Sequence, residues 1–213
     1  MSYGQAVSSL LRIGALASHE GTTLQAILDA CAAGSLAARV VAVVSNNSDS
    51  GALRRAHAAG AEALHFSSKT QPEPQELDRA ITSALVERGV EVVMLAGYMK
   101  KLGPQLLARY QGRILNTHPA LLPKFGGHGM YGLRVHEAVL RAGETESGSS
   151  VHLVDAEYDT GRVLARAEVP VLGGDTPESL AARVQERERR LVVAVLQQIA
   201  VGELPLAGLP SRS

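Results

Sequence analysis

The chain has little of what staples, anchors or strongly charges a protein. Its 213 residues include a single cysteine, Cys31, which excludes an intramolecular disulfide and fits a reducing compartment. Acidic and basic residues balance at 21 each, so there is no field of one sign to draw nucleic acid or an anionic membrane. No apolar run reaches transmembrane length, and the N-terminus lacks the basic-then-apolar order of a secretory signal. There is no internal repeat and no low-complexity linker. The length suits one domain with a substantial core. These absences lead to the expectation of a single cytoplasmic domain over 1–213, monomer or homodimer, with residues 1–9 and 205–213 as disordered tails. Its partners are expected to be small molecules.

What is present alternates between two periods. Short aliphatic runs at 10–17, 40–44, 63–66, 90–96 and 112–115 read as buried strands. Between them lie helical patterns. Leu24, Ile27, Leu28 and Cys31 recur at i, i+3, i+4 and i+7, with Gly34 as a stop. Leu77, Ile81, Ala84 and Leu85 make a second stripe, and short helices fit 51–59 and 104–110. Strands alternating with helices indicate an α/β fold: an open, mostly parallel twisted sheet with helices on both faces. Beyond Gly148 the pattern changes. Strands at 150–154 and 163–172 have no helix between them, which predicts an antiparallel C-terminal edge. A long helix follows from Pro177 to about Val201, with Thr176 as its N-cap.

The segment richest in chemistry is Ile114-Leu-Asn-Thr-His-Pro-Ala-Leu-Leu-Pro123. An apolar strand runs into polar side chains and two prolines, which stiffen the corner. Asn116 and His118 are two apart and project to the same side if the strand geometry persists. A carboxamide donor beside an imidazole suits stabilisation of a tetrahedral oxyanion. The plain alternative is a turn asparagine and an exposed loop histidine.

Other segments add candidates. Gly21-Thr22-Thr23 lies between the first strand and the first helix, where free N–H groups could hold a phosphate or a threonine could merely cap the helix. Glu188 falls four after Val184 and four before Val192 on the apolar stripe of the last helix. A carboxylate there needs a partner or ligand, unless it belongs to the solvated charge run 186–190. Residues 124–132 carry four glycines, as in a mobile lid or an ordinary surface loop. Asp159 sits in a turn, where aspartate commonly bonds locally. The histidines at 118, 128, 136 and 152 lack ligand-type spacing and Cys31 is remote, so no metal site is expected.

Asn116-Thr-His-Pro-Ala-Leu-Leu-Pro123, Gly21-Thr-Thr-Leu-Gln-Ala-Ile27, Val93-Met-Leu-Ala-Gly-Tyr-Met99 and Ser150-Val-His-Leu-Val154 through Asp159-Thr-Gly161 occur in order. Together they resemble the folate-dependent formyltransferases over about residues 11–204, specifically the branch that formylates glycinamide ribonucleotide in purine synthesis. The resemblance implies 10-formyltetrahydrofolate as cosubstrate, with no tightly bound cofactor and no metal. It implies Asn116, His118 and Asp159 as catalytic residues, with Asp159 raising the His118 pKa so that a protonated ring stabilises the oxyanion. It implies that Gly21, Thr22 and Thr23 hold the substrate phosphate, with Gln185 nearby and Glu188 on the ribose. Leu95, Met99, Lys100, Lys101, Leu102, Ile114 and Asn116 would line the folate pocket. The chain departs from the family at Lys100 and Lys101, where arginine and a branched apolar residue are usual, and at Pro74, near which relatives carry a further arginine. Its loop 124–132 is also longer than in some relatives. Methionyl-tRNA formyltransferases would need a further domain and a basic surface, and formyltetrahydrofolate hydrolases usually add an N-terminal domain. A non-catalytic nucleotide- or folate-binding protein on the same scaffold is the remaining alternative.

Overall fold

The computed structural model describes residues 10–209; of the tails expected at 1–9 and 205–213, residues 1–9 and 210–213 lie outside the described residues. The first aliphatic run forms β1 (Leu11–Ala17), buried except at Arg12, as an interior strand of a seven-stranded sheet. β2 (Ala38–Ser45), β3 (Glu62–His65), β4 (Val92–Leu95) and β5 (Ile114–His118) run parallel to it in the order β3-β2-β1-β4-β5. β6 (Glu146–Leu153) and β7 (Val163–Pro170) extend the sheet antiparallel beside β5. The crossovers contain α1 (Thr22–Ala32), α2 (Gly51–Ala58), α3 (Pro74–Glu87) and α4 (Pro104–Arg109). The last helix, α6 (Pro177–Ala200), returns over the sheet to contact α1, β6 and β7.

Side-chain alternation divides the core between the two faces. Ile13 and Ala15 of β1 join Leu24 and Ile27 of α1 and Val192, Val195 and Ile199 of α6. Leu16 points the other way, to Ile81 and Leu85 of α3 and Leu106 of α4. Gly14 permits the close fit on that second face, since a Cβ there would lie 2.8 Å from Leu85. α6 starts as its sequence indicates: the Thr176 hydroxyl accepts from Ser179 N–H, and the Ser179 side chain answers from the other side of the cap. Among the described residues no helix is long and apolar enough to cross a membrane.

Three local features differ from expectation. β5 does not end at Leu115 but continues through His118, because β6 pairs with Asn116, Thr117 and His118 and satisfies their backbone groups. α5 (Leu133–Arg141) follows the glycine-rich loop; its buried set of Val135, His136 and Val139 is too short a stripe to announce a helix. Finally, Leu206 is buried and Leu204 and Leu209 pack against the core beneath α6, so this part of the expected C-terminal tail is held by apolar contact.

Candidate active site

Strand β5 carries two functional faces. Asn116 and His118 project to one side, and Thr117 to the other. On the first side, His118 is only 3% exposed. Its Nδ1 lies 3.3 Å from Asp159 Oδ2, and its Nε2 lies 2.7 Å from the Phe125 carbonyl. Both ring nitrogens therefore face acceptors, and only the imidazolium can donate to both at once. Burial nevertheless pushes the His118 pKa below the ordinary histidine value, with Asp159 and the Phe125 carbonyl pulling against it. Asp159 therefore raises this pKa as expected, but desolvation outweighs the carboxylate and the net shift is downward, so the expectation of a ring already protonated does not hold.

Asp159 itself is not spent on its turn. The local bonds there belong to Asp155, whose Oδ1 accepts from Glu157 N–H and the Thr160 hydroxyl. Asp159 has φ 57°, a left-handed conformation that directs its carboxylate inward. There it also accepts from Gly127 N–H at 2.9 Å and lies 3.5 Å from His152 Nε2. Burial works to raise the Asp159 pKa, but contacts with His152, Gly127 and His118 outweigh it, so the carboxyl stays ionised.

His152 is the member of this group that sequence reasoning missed. It is register partner to Asn116 across β5 and β6, is 2% exposed, and its Nε2 lies 3.2 Å from Asn116 Nδ2. Its alternation with Ser150 is visible in the sequence, but the register that sets it against Asn116 is not. The four side chains thus make one polar cluster at the carboxyl end of the parallel strands, where open α/β sheets bind ligands.

The second cluster lies across β5. The Thr23 hydroxyl donates to Glu188 Oε1 at 3.0 Å, the Ser149 hydroxyl approaches Oε2 at 3.5 Å, and the Thr117 side chain also bonds to this carboxyl. Glu188 is 8% exposed, so the reading as a solvated surface charge does not hold. Burial pushes its pKa up, and the three hydroxyls pull it down without cancelling that effect. Next to it, α1 begins with Gly21 at φ 68° as N-cap, and no side chain caps the helix. The first-turn N–H groups are therefore available, and Thr22 is exposed beside them. Gln185 lies one turn before Glu188 and is exposed.

The residues expected to line the folate pocket separate. Lys100, Lys101 and Leu102 line a cavity of about 620 Å³ together with Tyr98, Lys69, Asn46, Asp78 and Gly103. Met99 is exposed beside it, while Leu95 and Ile114 are buried in the core cluster under α3 and α4 and do not line the cavity.

An amide donor, a buried imidazole and an ionised carboxylate at the end of a parallel strand, beside an uncapped helix N-terminus, define a site suited to acyl-type transfer onto a phosphorylated acceptor. The Formyl transferase family profile matches residues 11–196, and the chain belongs to that family. A phosphoribosylglycinamide formyltransferase of Mycobacterium tuberculosis is 41% identical, covering 94% of this chain and 90% of that protein. The chloroplastic phosphoribosylglycinamide formyltransferase of Arabidopsis thaliana is also 41% identical over 88% of this chain, which spans 65% of that protein's length. The crystal structure of glycinamide ribonucleotide transformylase 1 from Symbiobacterium toebii superposes with a TM-score of 0.87 at 38% identity, covering 97% of each chain.

Proposed function

We propose that this chain transfers the formyl group of 10-formyltetrahydrofolate to the amino group of glycinamide ribonucleotide, a cytoplasmic step of purine synthesis. The observation that carries the reading is the meeting of Asn116, His118 and Asp159, 41 positions from the histidine in sequence, beside the Glu188 cluster. The substrate 5′-phosphate sits on the first-turn N–H groups of α1 with Gly21 and Thr22, and Gln185 borders it. Thr23, already donating to Glu188, links this phosphate position to the ribose held by Glu188. The alternation of β5 then sets the ribose on the Thr117 side and the reacting amine on the Asn116 and His118 side.

The donor lies along the cavity past β4. Its volume is within the usual range for small-molecule sites. Lys100 and Lys101, with Lys69 on the same cavity, suit the carboxylates of a folate tail, and Leu102 and Tyr98 offer apolar wall. Met99 lies at the rim.

The neutral amine attacks the formyl carbon, the new N–C bond forms, and the carbonyl electrons move to oxygen. Asn116 Nδ2–H donates to that oxygen. His118, kept neutral by burial, takes the proton released by the amine; the resulting imidazolium lies between Asp159 and the oxyanion. The proton then passes to the folate nitrogen as its C–N bond breaks. The Phe125 carbonyl lies 2.7 Å from His118 Nε2, so this nitrogen has to exchange that contact for the substrate during the proton transfer.

The test is consumption of 10-formyl-dideazafolate with and without glycinamide ribonucleotide. Deformylation that requires the amine is expected. Equal consumption without it would identify a hydrolase, and thermal stabilisation by both ligands without product would identify a binding protein.

A further inference from the structure

The loop between β4 and α4 brings Lys100, Lys101 and Leu102 to the cavity, yet these side chains are exposed or half-exposed and make no hydrogen bond among the described residues. The loop must be positioned by something else. Its first half is tied to β1: Ser18 N–H donates to the Gly97 carbonyl, and the Ser18 hydroxyl accepts from Met99 N–H at 2.8 Å. Its second half runs into α4, which no side chain of its own N-cap stabilises.

We propose that Asp78 of α3 is a positioning residue for the formyl donor, fixing the Lys100–Leu102 wall of the cavity by capping α4 from a distance. Asp78 is 6% exposed on a helix anchored in the core by Ile81 and Leu85. Its Oδ2 accepts from Gln105 N–H at 2.7 Å and its Oδ1 from Leu106 N–H at 3.1 Å. A cap supplied locally would stabilise α4 but leave it free to move with the loop. A cap from α3 ties the end of the loop to the core. The approach is close enough that a Cβ at Gly103 would overlap the Asp78 carboxyl, so glycine is required there. Gln105 Nε2 adds a bond to the Gln75 carbonyl on the same helix. Asp78 and Gly103 line the cavity themselves, Gly103 one residue along from the wall that Asp78 holds.

This inference rests on reading the cavity as the donor site, and the experiment separates the two. Asp78→Asn retains shape but offers one acceptor oxygen, and its amide opposes the second N–H. Steady-state kinetics with both substrates varied should show the KM for the formyl donor rising roughly tenfold, the cost of one buried hydrogen bond expressed as binding. The KM for glycinamide ribonucleotide and kcat should stay within about twofold, because the Asn116 and Glu188 clusters are held by other elements. Gly103→Ala, which pushes the same contact apart from the loop side, should give the same split and serves alone if Asp78→Asn does not fold. A lowered melting temperature with unchanged kinetic constants, or equal rises in both KM values, overturns the proposal. The double variant Lys100→Ala, Lys101→Ala tests the cavity itself. If it raises the donor KM while Asp78→Asn does not, the positioning role fails and the donor site stands. If it leaves the donor KM unchanged, the donor-site reading fails and the proposal falls with it.

Discussion

Replacing Asp159 with asparagine removes one charge from the catalytic cluster and leaves its shape nearly unchanged. The lost carboxylate lies 3.3 Å from His118 Nδ1, with its side chain only 11% exposed. Unit charges at that distance attract by roughly 5 kcal/mol in an effective dielectric of about 20. Part of this returns through the carbonyl oxygen that the asparagine retains. A net loss of about 3–4 kcal/mol to the imidazolium formed during turnover lowers kcat by roughly 10²–10³. The KM for glycinamide ribonucleotide should be nearly unaffected, since its phosphate and ribose contacts lie across β5. The pH dependence has a definite sign. Burial already holds the His118 pKa below its ordinary value, and Asp159 opposes burial. Without the charge the pKa falls further, so the acid limb of the kcat/KM profile moves to lower pH even as the plateau drops. Paired pH–rate profiles and histidine NMR titrations of the two proteins measure both effects. Near-normal turnover together with an unmoved acid limb would refute the pairing of His118 with Asp159.

Other outcomes follow from the same geometry. Glu188→Gln should raise the KM for glycinamide ribonucleotide about tenfold with a smaller change in kcat, because one of the two oxygen acceptors for a ribose contact present throughout the reaction is lost; an unchanged KM would leave Glu188 a purely structural group. Gly21→Ala should cost about 1–3 kcal/mol in urea unfolding and weaken the same substrate, since φ is 68° and the new Cβ would meet Ala52 at 2.9 Å. Unchanged stability and KM would mean that the start of α1 relaxes freely. His118 and His136 are both held below the ordinary histidine value by burial. The unfolded chain therefore binds more protons below pH about 6.5, and their contribution to stability is full above that pH and lost as pH falls toward the folded values. Glu188, with its raised pKa, acts in the opposite sense and loses its contribution as pH rises through its folded value. The histidine effect should appear as a melting temperature that declines from pH 7 to pH 5, and a flat profile would contradict it.

The sequence by itself determined the layered α/β architecture, because strand and helix periods depend on near neighbours along the chain. It also placed Asn116 and His118 on one side of a strand, Gly21 at a helix start and Glu188 within an apolar stripe, since each follows from local spacing. The limits were equally physical. Asp155 and Asp159 share one turn and one residue type, and only the folded contacts decide that Asp155 closes the turn while Asp159 faces His118. His152 acquires its place from the β5–β6 register, and Asp78 from the approach of α3 to α4. The His118 pKa turned on the same distinction. A carboxylate partner could be anticipated from the family motif, but the depth of burial that outweighs it is a property of everything packed around the ring. Long-range juxtaposition and desolvation are set by the whole chain at once, so tertiary structure alone decided them.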